Sequence, residues 1–326
     1  MNKAHHSMDE VIAYFKRKEP QYRELNKKAK LLLNRRLNKT DIKISPILSR
    51  IKKESSLRDK IKRKNYSDPL NEITDFAGIR IVCGFEGDFS KINEIIYDLF
   101  NVLDKVDKTY ELGVDKMGYH GLHYVVSLKS SYNNDISSLK DLCCEIQLRT
   151  ALQDSWAIAS HHLVYNNEEA IPKRIRRDLN NIASILEIAQ QVFDRIQEKR
   201  DVYIREIDET TSEDNKLLSR VIDYETLQVY TKWKYPNLPV STKWQNRLLS
   251  DLNFEKYKTL NDINLAVEKA KAAVIAYKKE NPAWFKTGTG HITKALGFTD
   301  PEFRRNHPFG GKTRVAFQKY ENLVTD

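Results

Sequence analysis

No stretch of this chain holds the roughly 18 to 20 consecutive apolar residues that a membrane-spanning helix needs. Residues 1–10 lack the apolar core of a secretion signal. The expectation is a cytoplasmic protein with no membrane partner. Cysteine is scarce: Cys83, Cys143 and Cys144 make an odd number, two of them adjacent, with no CxxC spacing. That excludes a disulfide framework and a cysteine zinc site, and fits a reducing compartment. No GxxxxGK[ST] loop and no GxGxxG appear, which removes Walker-type and Rossmann-type nucleotide binding. There is no HExxH. The pair His161-His162 lacks a following Asp and does not read as a hydrolase metal site. Neither internal repeats nor low-complexity tracts occur.

What is present is basic. Net charge is +10, and residues 27–64 alone hold fifteen Lys or Arg. Such a surface draws phosphates, whether of nucleotides, RNA or DNA; a solvated helix face is the plainer reading of the same lysines. A nucleotide enzyme without a glycine-rich loop must clamp phosphates with Lys and Arg side chains. Arg50, Lys52, Lys60, Lys62 and Lys64 are placed for that, close before Asp75.

A length of 326 residues suggests two domains. Apolar spacing predicts a helix over 9–37, broken or kinked at Pro20, and a second over 45–64 with Pro46 near its start. AGIRIVCGF, residues 77–85, reads as a strand. An amphipathic helix follows over 88–100, with Asp88 or Ser90 as N-cap. Strands are expected at 121–128 and 142–148, and helices at 150–165 and 171–201. The fold class is therefore α+β: a mixed sheet flanked by helices over 1–205, a linker over 206–223, and a mainly helical module over 224–326. That last part holds three of the four tryptophans. Trp233, Trp244, Trp284, Tyr235, Phe285 and Phe309 suit a small core or an interaction surface. KTGTGHITK, residues 286–294, reads as a Gly/Thr-rich loop without phosphate-loop spacing.

Two carboxylates stand out. Asp75 directly precedes the first strand, and Glu145 lies inside the apolar strand CCEIQLRT. A carboxylate in an apolar strand is costly unless something pairs with it. Two carboxylates at strand ends suit Mg²⁺ for phosphoryl transfer, and equally suit a salt-bridged structural pair. Side chains alternate along a strand, so Glu145, Gln147 and Arg149 share one face while Cys144, Ile146 and Leu148 share the other. An acid, an amide and a guanidinium on one face could serve chemistry, or only line an exposed sheet face. In GYHGLH, residues 118–123, Tyr119 is suited to stack on a base and His123 to bond a phosphate or ribose. Both also fit ordinary packing roles.

The ordered set SRIKKESSLRDKIKRK (49–64), TDFAGIRIV (74–82), GYHGLHYVV (118–126), CCEIQLRT (143–150) and WAIASHHLVY (156–165) resembles the synthetase domain of the RelA/SpoT alarmone synthetases. The resemblance covers residues 20–200 and implies a nucleotidyltransferase-like fold. It implies a GTP diphosphokinase activity that moves the β,γ-pyrophosphate of ATP to the 3′-hydroxyl of GDP or GTP. By position, Asp75 and Glu145 resemble the Mg²⁺-binding and catalytic carboxylates, with Glu145 activating the hydroxyl. Arg50 and Arg80 resemble the pair that sandwiches the adenine of ATP, and Lys52 and Lys60 the contacts to its phosphates. Tyr119 resembles the residue that stacks on the acceptor base. His123, Gln147 and Arg149 resemble further acceptor-side groups.

The departures fall on the acceptor side. Where the family reads PK-x-NGYRS-x-H, this chain has Met117 for the asparagine, His120 for the arginine and Gly121 for the serine. The family's Glu-His pair becomes Ser160-His161. These changes leave the acceptor open between GDP or GTP and, as in toxic relatives, the tRNA 3′ end or an adenosine nucleotide. Only 74 residues precede Asp75 and no HD pair occurs, which gives the expectation of a small, hydrolase-free synthetase. Its extra C-terminal module is expected to regulate it, and homo-oligomers are expected from the family.

Overall fold

The computed structural model describes residues 6–64, 66–107, 121–132, 139–164, 172–209 and 214–325, and the chain divides into two compact units, Met1–Gln197 and Glu198–Asp326.

The first unit opens with helix α1 (Met8–Leu37). Ser7 and Glu10 form a reciprocal capping box at its start. Its buried side runs from Val11, Ile12 and Phe15 through Tyr22, Leu25, Ala29 and Leu33 to Leu37. Of the break or kink expected at Pro20, the break does not occur: the helix continues through it. Pro20 sits on the exposed side, so the carbonyl it leaves unbonded can meet water. The buried stripe on either side of it carries the helix across.

Residues 45–53 are the second correction. The expected helix is confined to α2 (Glu54–Lys64), and Leu48–Ile51 forms strand β1 instead. Backbone pairing decides this: β1 lies antiparallel to β2 (Ala77–Cys83), and Lys52 N donates to Phe76 O at 2.9 Å. A short helix α3 (Pro69–Glu72) precedes β2, and α4 (Phe89–Leu99) follows it. Strand β3 (Phe100–Asp107) is the one the sequence did not announce, because a register shift between Val102 and Asp104 breaks its alternation and its charged residues mask what remains. Strands β4 (Leu122–Leu128) and β5 (Cys144–Thr150) match expectation within two residues. Helices α5 (Ala151–Val164) and α6 (Lys173–Glu209) follow.

The sheet order is β1-β2-β5-β4-β3, with β2 and β5 parallel and the other neighbours antiparallel. One face is apolar and buried: Ile79, Ile81 and Cys83, Cys144, Ile146 and Leu148, Tyr124 and Val126 share a core with α1 and α4. The alternation read in β5 therefore holds. Helix α6 lays Leu179, Ala183 and Leu186 against Leu152 and Trp156 of α5.

The second unit contains the end of α6 and helices α7 (Asp214–Leu218), α8 (Tyr224–Lys234), α9 (Thr242–Asp251), α10 (Leu260–Lys269), α11 (Lys271–Glu280), α12 (Gly288–Thr299), α13 (Pro301–Asn306) and α14 (Gly311–Lys319). Within the stretch read as a linker, α6 runs on to Glu209, and Ile207, Leu217 and Ile222 join this unit's core. The Gly/Thr-rich stretch is not a loop. Thr287 caps α12, its hydroxyl accepting from Gly290 N at 3.0 Å, and Ile292, Ala295, Leu296 and Phe298 of that helix are buried. Of the aromatic set, Phe285 is buried, Trp233, Tyr235 and Phe309 are half-buried against the core, and Trp244 and Trp284 remain exposed.

Candidate active site

Sheet register assembles the site. Arg50 stands opposite Gly78, Gly78 beside Glu145, and Glu145 opposite Val125. The next row reads Leu48, Arg80, Gln147, His123 and Val106. Residues paired across a ladder point to the same face, with strands about 4.8 Å apart. Arg50, Arg80, Glu145, Gln147, Arg149 and His123 therefore share the face opposite the core, though they come from four strands and from sequence positions a hundred apart.

Asp75 lies one residue before Phe76, at the mouth of this face. Its carboxylate is clasped by Lys52, just past β1, and by Lys60 of α2 at 3.0 Å. Burial alone raises the Asp75 carboxyl, but the two ammonium charges overcome it and hold the group below its usual range. Burial lowers the Lys52 ammonium against the pull of Asp75. Lys60 ends up raised, because Asp75 and Tyr66 outweigh its burial.

Glu145 is held from two sides. His123 Nδ1 lies 2.9 Å from Oε1, and Gln147 Nε2 donates to Oε2 at 2.6 Å. Burial raises this carboxyl too, and the bonds from His123 and Gln147 bring it below its usual value. The negative charge of Asp75 acts on Glu145 in the opposite sense, so the two carboxylates sense one another. His123 Nε2 is buried and finds no hydrogen-bond partner among the described residues.

Beside these lies an open slot of about 270 Å³, lined by Leu48, Ser49, Arg50, Gly78, Ile79, Arg80 and Gln147. Gly78 leaves its floor without a side chain between the two arginines, where a planar ring can enter. Two residues that the sequence reading missed build this slot. Asn26, buried on α1, donates to Arg50 O at 2.9 Å and to Gly78 O at 3.5 Å, fastening β1 and β2. Asp154, in the first turn of α5, pairs with Arg80 at 2.9 Å and Arg149 at 3.5 Å through the same carboxylate oxygen. Burial first, then the like charge of Arg80, lowers Arg149, and Asp154 and Glu145 counter only part of this. The available signal for Asp154 was an acid in the first helical turn after the strand that carries Arg149.

Tyr119, Met117 and His120 lie outside the described residues. Where the chain re-enters at Gly121, a Cβ would stand 2.0 Å from Leu148 O and 2.7 Å from Arg149 Cγ. The serine of the family pattern does not fit here, so that departure follows from the close approach of two backbones.

Among the described residues no three or more His, Cys, Asp or Glu are arranged as a metal site. Asp75 and Glu145 nevertheless suit Mg²⁺, a hard cation commonly held by one or two carboxylates with substrate phosphates completing its shell.

Residues 49–170 match the model of the region found in RelA and SpoT proteins. The chain is 31% identical over 159 residues to GTP pyrophosphokinase YjbM of Bacillus subtilis (strain 168), covering 47% of this chain and 71% of that protein. The chain belongs to the RelA/SpoT family. A second relative, GTP pyrophosphokinase YwaC of the same organism, is 30% identical over 148 residues, 42% of this chain and 66% of that protein. The crystal structure of small alarmone synthetase 1 from Bacillus subtilis aligns with a TM-score of 0.49 at 26% identity, covering 58% of this chain and 98% of that one. The RelA/SpoT region thus takes in Arg50, Asp75, Arg80, Glu145 and Asp154 and lies wholly in the first unit.

Proposed function

We propose that this chain is an ATP-dependent pyrophosphokinase that transfers the β,γ-pyrophosphate of ATP to the 3′-hydroxyl of GDP or GTP. The observation that carries this is the two-row face, where the Arg50/Arg80 slot and Glu145 stand on adjoining strands with Asp75 and two lysines at its mouth. Both curated relatives bear the name GTP pyrophosphokinase.

In this reading the adenine lies between Arg50 and Arg80 over Gly78, as guanidinium planes stack on aromatic faces. Lys52 and Lys60 serve the phosphates. Mg²⁺ at Asp75 and Glu145 supplies charge neutralisation at the phosphates when bound. The acceptor hydroxyl oxygen attacks the β-phosphorus, the bond from that phosphorus to the α,β-bridging oxygen breaks, and AMP leaves. Glu145 takes the hydroxyl proton. His123 and Gln147 fix the direction of its lone pairs and keep it ionised at neutral pH. Positioning and electrostatics of this kind do most of the work in phosphoryl transfer.

A second reading keeps the donor side and changes the acceptor to the 3′ end of tRNA or an adenosine nucleotide. Met117 and His120, with the basic run 27–64, favour it. The test is incubation with γ-labelled ATP, Mg²⁺ and, separately, GDP, GTP, GMP, an adenosine nucleotide or deacylated tRNA. Labelled guanosine products support the first reading, and label on tRNA or adenosine the second. ATP consumption without transfer to any of them rejects both. Glu145→Gln must abolish transfer in either case; a cellular effect that survives this change would instead mark a nucleotide sensor.

A further inference from the structure

Both oxygens of the Asp75 carboxylate stand against lysines. Lys52 Nζ bonds Oδ2, and Lys60 Nζ lies 3.0 Å from Oδ1 as an ion pair without hydrogen-bond alignment. The side chains of Lys52, Asp75 and Lys60 are 14%, 18% and 22% exposed, so salt and water screen them little. Glu145, the other candidate metal ligand, is different: its neighbours are an imidazole and an amide, not ammonium groups.

The arrangement sets two uses of the same groups against each other. A Mg²⁺ ion on Asp75 needs a carboxylate oxygen at about 2.0–2.1 Å. Two ammonium groups already stand at those oxygens, and like charges at such range repel strongly in a shielded site. Lys52 also feels the like charges of Lys60 and Arg50. A divalent cation that arrives alone therefore enters a site already crowded with positive charge. Lysines engaged by Asp75 are, in the same way, withheld from phosphates.

We propose that Lys52 and Lys60 are place-holders for the metal: in the nucleotide-free chain they neutralise Asp75 and bar it to divalent cations, and they cross to the nucleotide phosphates as the metal takes Asp75. This rests on the donor-side reading above, and it holds whichever acceptor is used. Each lysine has a flexible four-carbon stem that permits the crossing. Asp75 Oδ1 is buried and carries no hydrogen bond among the described residues, so a cation can meet it without first breaking one. The consequence is positive coupling between metal and nucleotide, equal in both directions by linkage. Neither loads well without the other, and the site stays charge-balanced in both states.

Two titrations of the full chain test this. The first counts Mn²⁺ by electron paramagnetic resonance with no nucleotide present. Lys60→Met keeps most of the stem and removes the charge, and should tighten Mn²⁺ on the order of tenfold. Adding Asp75→Asn to that variant should erase the gain. The second follows a non-hydrolysable ATP analogue by calorimetry, once in EDTA and once in Mg²⁺. Asp75→Asn releases both lysines, so in EDTA it should bind the analogue roughly tenfold more tightly than wild type. In Mg²⁺ it should bind more weakly than wild type. A purely structural ion pair gives no such change of sign, because its loss weakens binding in both media. Mn²⁺ affinity that is unchanged or lower in Lys60→Met overturns the proposal. So does Asp75→Asn lying on the same side of wild type in EDTA and in Mg²⁺. If Lys60→Met fails to fold, the Asp75→Asn comparison decides alone. An analogue that binds the wild-type chain in neither medium refutes the donor-side reading and the place-holder role with it; binding without the change of sign refutes the place-holder role only.

Discussion

Replacing Asp154 by Asn keeps the shape of the side chain and removes the charge that joins Arg80 to Arg149. The side chains of Asp154, Arg149 and Arg80 are 15%, 9% and 22% exposed, so the three charges are well shielded from water. Breaking a fully buried pair costs about 3–5 kcal/mol. These groups keep some water, and the neutral amide still accepts a hydrogen bond, so about 2 kcal/mol is the better figure. Part of it appears as lost stability, because the two guanidiniums then repel with only Glu145 left to compensate Arg149. The rest appears at the donor slot, whose wall Arg80 no longer holds its place. A share of about 1.4 kcal/mol there raises the KM for ATP roughly tenfold. The acceptor KM moves through Arg149, and by less. Steady-state kinetics with ATP varied at saturating acceptor measure this, and the cycle with Arg80→Ala isolates the coupling. Arg80→Ala should lose most of its effect in the Asp154→Asn background. An ATP KM within about twofold of wild type, or two changes that simply add, refutes the positioning role.

Other expectations follow from the same geometry. His123→Gln removes the main influence that lowers Glu145 against burial, so the acid limb of the pH–rate profile should move to higher pH. A limb left in place means that Glu145 is not the titrating base. Gly121→Ser puts a Cβ onto Leu148 O, and a displacement of about 1 Å at the base of the acceptor loop should cut kcat/KM on the order of a hundredfold. Binding of a non-hydrolysable ATP analogue should survive in that variant; its loss instead would show that the damage is global. In the second unit, burial brings the Lys294 ammonium down to about 8. Between that value and the ordinary lysine range the unfolded chain binds more protons than the folded one, so stability should rise with pH across that window. Lys294→Met should flatten the rise and stabilise the fold at neutral pH, read by denaturant titration at several pH values.

The parts of the site that could be read from sequence are those set by strand alternation. Glu145, Gln147 and Arg149 on one face of β5 needed only a period of two. Asp75 needed only its place before a β-branched run. Arg50 was singled out but assigned to a helix, because Ile47, Leu48 and Ile51 fit helical spacing as well as they fit a strand. What decides is the ladder to β2, a partner 28 residues away in register with Gly78. Asp154 and Asn26 were illegible for a related reason. Each acts on residues brought near only by the sheet, one on two guanidiniums from neighbouring strands and one on two backbone carbonyls. Strand β3 was obscured by Asp104, Lys105 and Asp107, whose charges are tolerated because it lies at the sheet edge.

β1 is the other edge, four residues long, with Leu48 exposed and Asn26 as its bolt. An edge strand this short opens at a free energy well below that of global unfolding. Its backbone amides should therefore exchange with deuterium early, while those of β2 and β5 exchange late. Arg50, one wall of the slot, rides on that loose edge, so in the proposed function nucleotide binding is coupled to closing a local opening. Slowed exchange at residues 48–51 in the presence of an ATP analogue, with the central strands unchanged, is the expected signature. Evolution or engineering could then tune donor affinity through Asn26, without altering any group that touches the nucleotide.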